Sequence, residues 1–75
     1  MDIEGQLRAA VEDAVMGEPL DGRLAGRARM AALTVLHRAG RKGRVDVRPA
    51  RGGVEVRVIL DPGTPRVREV RFSLG

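Results

Sequence analysis

Apolar positions in the first third of the chain recur at helical spacing. Ile3, Leu7, Val11, Ala14 and Val15 are three or four residues apart and share one face. Asp2 is placed to cap that helix, and Gly17 followed by Pro19 is a stop signal. The pattern predicts a first helix over residues 3–16, weakened near its start by Gly5. "GEPLDG" is a short connector, so the next helix should pack antiparallel on the first. That second helix is expected to begin near Leu20 to Gly22, capped by Asp21 or Glu18, and to run to Ala39. Gly40 suits the position after its end, and Arg38, Arg41 and Lys42 complement its C-terminal dipole. Leu24, Ala28, Ala31, Ala32, Val35 and Leu36 form its main apolar face; Met30 and Leu33 lie outside it. A helix apolar beyond one face is buried on more than one side, so this one is expected to touch both the first helix and a sheet, or a second chain.

From residue 44 the period changes to two. Val45 and Val47 alternate with charged neighbours. So do Val54, Val56, Val58 and Leu60, and then Val70, Phe72 and Leu74. "PARGG" joins the first two runs and "DPGTPR" the last two; Pro62-Gly63 suits the centre of a type II turn. Val67 is out of phase with Val70, which predicts a bulge near Arg68. The expected architecture is one α+β domain over residues 1–75. Two antiparallel helices precede a three-stranded antiparallel meander and cover one of its faces, and the other face, with Asp46, Arg48, Glu55 and Arg57, is wet.

Composition narrows the ways such a fold can hold together. A domain of 75 residues buries only ~60% of its unfolded surface, and small folds are commonly stapled by disulfides, metals or partners. Cysteine is absent, His37 is the one histidine, and Phe72 is the one aromatic residue. Disulfides and thiolate or histidine-rich metal sites are therefore excluded, and a partner subunit becomes the expected support. "MDIEGQLRAA" is acidic rather than a basic targeting segment, and "MAALTVL" is too short to span a bilayer. A cytoplasmic location without membrane association is the expectation.

Charge is unevenly placed. Thirteen of the fourteen basic residues are arginine, an excess that GC-rich codon usage explains together with the missing Asn and Tyr. Position is more informative than content. Residues 1–22 carry a net −5, residues 23–51 a net +8 and residues 52–75 a net +1. Arg23, Arg27, Arg38 and Arg41 fall on one arc of the second helix with Thr34, and Lys42, Arg44, Arg48 and Arg51 follow. Two readings of this stripe stand. It pairs with Glu4, Glu12, Asp13 and Glu18 of the first helix, or it follows the phosphates of a nucleic acid through Arg23, Arg27, Arg38, Arg41, Lys42, Arg44 and Arg51.

The motifs are sparse. "GRKG" at 40–43 matches the G-x-x-G of KH loops, but that loop joins two helices, whereas here a strand follows. A winged helix would need polar base-reading side chains where the second helix has Ala, Leu and Val. "DPGTP" lacks the ending of a phosphate loop and "RGG" at 51–53 reads as a turn. His37, Ser73 and the adjacent Glu12 and Asp13 form no nucleophile–base arrangement, so no catalytic residue, cofactor, metal or small-molecule substrate is expected.

The leading expectation is a non-enzymatic interaction or structural module, a small subunit of a homo-oligomer or larger protein assembly, for which a phage-like particle is one compatible setting. Met30, Leu33, Val67 and Phe72 are its expected interface residues. A basic nucleic-acid-binding module is the alternative. A terminal strand that must be a sheet edge, together with unlike charge in successive segments, favours the first.

Overall fold

The computed structural model describes residues 2–16 and 22–74. It contains α1 (Ile3–Val15), α2 (Gly22–Arg38), β1 (Gly43–Ala50), β2 (Gly53–Leu60) and β3 (Arg68–Leu74). The strands form one antiparallel sheet in the order β1-β2-β3. This is the α+β architecture expected from the alternation of periods. The connector and the expected caps Glu18 and Asp21 lie outside the described residues.

Local chemistry sets the element ends. Asp2 Oδ1 accepts from Gly5 N at 2.8 Å, satisfying one of the free donors at the start of α1. After α2, Gly40 adopts φ 65°, a left-handed conformation that glycine enters without steric penalty. Arg41 N then donates to Leu36 O and Gly40 N to His37 O, closing the last turn of the helix. In the β2–β3 connection, Thr64 N donates to Asp61 O and Gly63 has φ 79°, matching the type II turn expected at Pro62-Gly63. The expected bulge near Arg68 is absent. Pairing runs without interruption from Leu60↔Arg68 to Val54↔Leu74. Val67 instead closes a second turn by donating its N–H to Thr64 O, and its side chain is 55% exposed.

The core lies between the helices and one sheet face. Leu7 and Val11 of α1 meet Leu24, Ala28, Ala32 and Leu36 of α2. Beneath them are Val45, then Val54, Val56, Val58 and Leu60, then Val70 and Phe72. No polar or charged residue is buried among the described residues. α2 packs on both α1 and β1, the central position its second apolar flank predicted. Its alanines allow close approach to both neighbours.

The backbone pairing of the sheet can be followed strand by strand. Asp61 N donates to Lys42 O at 2.9 Å, which continues the β1–β2 register beyond Gly43↔Leu60. Hydrogen-bonded and non-hydrogen-bonded pairs alternate along an antiparallel ladder. Arg44↔Ile59, Asp46↔Arg57 and Arg48↔Glu55 are therefore hydrogen-bonded, and Pro49↔Val54 is not. The missing N–H of Pro49 thus faces away from β2, where it interrupts no ladder bond. By the same alternation, β2 bonds to Arg68, Val70, Phe72 and Leu74 of β3. The backbone groups of Glu69, Arg71 and Ser73 point away from the sheet.

Candidate interaction surfaces

Three surfaces carry the polar and charged residues: the open sheet face, the end of the molecule where α2 hands over to β1, and the flank of α2 beside Ala14 of α1.

The open sheet face is a mixed-sign lattice. Cross-strand partners set Asp46 opposite Arg57 and Arg48 opposite Glu55. Arg57 faces Arg71, a like-charged pair that Glu69 offsets. Arg71 Nε is 2.7 Å from Glu69 Oε1. Arg57 Nε, itself buried, is 3.0 Å from the same oxygen without making a hydrogen bond. Four arginines (Arg44, Arg48, Arg57, Arg71) thus share this face with Asp46, Glu55 and Glu69. Strand alternation put Glu55, Arg57, Asp46 and Arg48 here from sequence; the role of Glu69 between two guanidiniums needed the register.

At the α2–β1 end, the basic joint is partly neutralised from within. Arg41 donates to Asp61 Oδ2 at 2.7 Å. Asp61 has φ 49°, a left-handed conformation uncommon for a side chain other than glycine but one that aspartate tolerates. Its placement is held from several sides. Its N–H donates to Lys42 O, and its carbonyl accepts from Thr64 N and, at 2.8 Å, from Thr64 Oγ1. Thr64 Oγ1 in turn accepts from Arg66 N at 3.2 Å. Asp61 therefore ties the β2–β3 loop to the joint after α2. Asp61→Ala is expected to lower stability by about 1–2 kcal/mol, from a left-handed alanine plus the lost ion pair. Asp61→Asn, which also enters that region, should lose less. Urea unfolding of the two variants tests this; equal losses would show that the backbone conformation contributes nothing.

Arg41, Asp61, Thr64, Pro65, Arg66 and Arg68 line a shallow cleft at this end. Arg68 donates to Glu4 Oε2 at 3.1 Å, so Glu4 pairs with β3 rather than with α2. Glu12 and Asp13 form no ion pair with the described residues, and Glu18 lies outside them. The expected charge pairing between the helices is therefore not what these acids do among the described residues. Arg38, Lys42, Arg44 and Arg66 are exposed and likewise form no ion pair there.

Beside Ala14 of α1, α2 brings Arg23, Arg27 and Thr34 onto one shallow surface, as the helical arc predicted, and Met30 joins them there. Arg38 continues that arc roughly 6 Å beyond Thr34 and about 22 Å from Arg23 along the axis. Arg51 sits at the β1–β2 hairpin tip, at the opposite end of β1 from Arg44. The seven basic residues therefore do not form one patch. Of the four expected interface residues, Met30 and Val67 are exposed, Leu33 is partly buried against the core, and Phe72 is a core residue only 7% exposed. Phe72 falls on the inward side of β3 because it shares the phase of Val70, and there it is covered.

Arg66 and Arg68 join the basic end only through the β2–β3 loop, and no local pattern announced it. Among the described residues no helix is long and apolar enough to cross a membrane, and no cluster of His, Asp or Glu has the arrangement of a metal site. Comparison of the chain with protein-family models, curated proteins and solved structures yields no match.

Proposed function

We propose that this chain is a non-enzymatic protein-interaction module, a subunit that joins other protein chains along the open edge of β3. One observation carries the reading: β3 turns the backbone groups of Glu69, Arg71 and Ser73 away from the sheet with no proline among them. Such an edge is a template for a further strand. The other edge, β1, has Pro49 in an outward-facing position, where it gives no donor. The interleaved signs of the open sheet face also suit a protein partner better than a polyanion, which favours a surface of one sign.

A photoreactive amino acid at Ser73, exposed on β3, tests the reading in the cells that make the protein. A crosslink to a protein chain is expected. A crosslink to nucleic acid alone, or none to any protein, would overturn it.

A second reading is supported by the exposed Arg38, Lys42, Arg44 and Arg66 near the α2–β1 end. These cations suit the phosphates of a nucleic acid. That reading requires duplex affinity that falls steeply with added salt and weakens on joint replacement of Lys42 and Arg44 by alanine. Absence of DNA or RNA binding at low salt removes it.

A further inference from the structure

Resting on the interaction-module reading, we propose that the occupant of the β3 edge is a second copy of this chain. The two β3 strands pair antiparallel about a two-fold axis at Val70 and join the sheets into one six-stranded sheet.

The register follows from the outward-facing groups and the charges beside them. A two-fold axis at Val70 sets Glu69 opposite Arg71 of the other copy, and Arg71 opposite its Glu69. Glu69 and Arg71, like Ser73, turn their backbone groups outward, so each such pair exchanges both backbone hydrogen bonds. Their side chains stand on the open sheet face, where Glu69 already contacts Arg71 of its own strand at 2.7 Å. In the pair of strands the four side chains form a ring of alternating sign, negative beside positive on every side. Opposite charges directly across a strand pair stabilise it and like charges oppose it.

Neighbouring registers lose this match. An axis at Arg71 sets that residue against itself, and an axis at Phe72 sets Arg71 against Ser73. The β1 edge is a poorer template. An axis at Arg44 or at Asp46 places like charges face to face. An axis at Val45 does set Arg44 against Asp46, but it also sets Arg48 against Lys42 twice. An axis at Val47 sets Asp46 against Arg48 but brings Pro49, which has no donor, into the ladder twice. A contact of this kind is isologous and closes at two copies. On the helix side of the seam, Glu4 of α1 is paired with Arg68 of β3.

Sedimentation equilibrium across a wide concentration range, with the full chain, tests the pairing. Wild type should approach twice the single-chain mass of 8.1 kDa. E69R and R71E should each weaken self-association by about tenfold or more, since symmetry doubles each like-charged pair. Mixing E69R with R71E should restore a dimer of one of each, and E69R/R71E should restore the homodimer. Circular dichroism checks that every variant is folded; should E69R not fold, R71E against E69R/R71E decides. A wild type that stays at single-chain mass, or a mixture or double exchange that fails to restore pairing, would overturn the inference. A chain that stays single yet crosslinks from Ser73 to a different protein would overturn this inference and leave the interaction-module reading standing. No crosslink to any protein would overturn both.

Discussion

Leu60→Ala is expected to lower the unfolding free energy by about 2–5 kcal/mol, the largest loss of any single change considered for this fold. Leu60 is fully buried at the end of the central strand. It has strands on both sides, paired with Gly43 of β1 and Arg68 of β3, and shares the core cluster with Leu24, Ala28, Ala32 and Leu36 of α2. Those neighbours are parts of separate elements, so they cannot all close on the space that three lost carbons leave. A chain of this length has a total stability of roughly 4–11 kcal/mol, so one such cavity removes a large part of it. Urea denaturation at fixed protein concentration should show a lower midpoint with an unchanged slope. Met30→Ala, at an exposed position, should shift stability by no more than about 0.5 kcal/mol. A Leu60→Ala loss below about 1 kcal/mol would mean that the core relaxes far more freely than its packing implies.

Gly43→Ala is expected to destabilise by about 1–3 kcal/mol, although alanine is only one carbon larger. A Cβ at this position would stand 2.8 Å from Leu36 Cδ1 and 3.0 Å from Ile59 O. The first contact is with a core side chain that is itself nearly buried, and the second is with the backbone of the paired strand. Glycine here therefore serves close approach between the end of α2 and the start of the sheet, not a turn. The measurement is again urea unfolding, with a double-mutant cycle to locate the strain. Gly43→Ala combined with Leu36→Ala should cost less than the two single changes added together, because the second change removes the atom struck by the first. Strict additivity would place the strain elsewhere, at Ile59 O.

These two positions were not equally readable. Leu60 belongs to an unbroken alternation with Val54, Val56 and Val58, and period-two patterning assigns such residues to the covered face whatever the neighbouring elements are. Gly43 closes the glycine-flanked basic stretch GRKG, and nothing local distinguishes a glycine needed for a turn from one needed for contact. The same division runs through the charged residues. The arc that joins Arg23, Arg27 and Thr34 is a property of one helix and survives in the structure. The expected partners of that arc were on another helix, and Glu4 instead meets Arg68, which is 64 residues away in the chain. Val67 shows the limit of phase arguments: an apolar residue out of step with its strand suggested a bulge, but the loop's own hydrogen bond from Val67 N to Thr64 O places it before the strand begins.

The sequence by itself determined the two helices, the three strands, their order, and the apolar side of each, because side-chain period and cap chemistry are local properties of a few neighbouring residues. Tertiary structure alone decided which charges neutralise one another and which backbone groups are left facing outward. It joined Arg41 to Asp61, set Glu69 between Arg57 and Arg71, and turned Glu69, Arg71 and Ser73 to the open edge. The physical reason is range: an ion pair or a strand edge depends on the register between segments far apart in the chain, and that register is set only when the shared core closes over all of them.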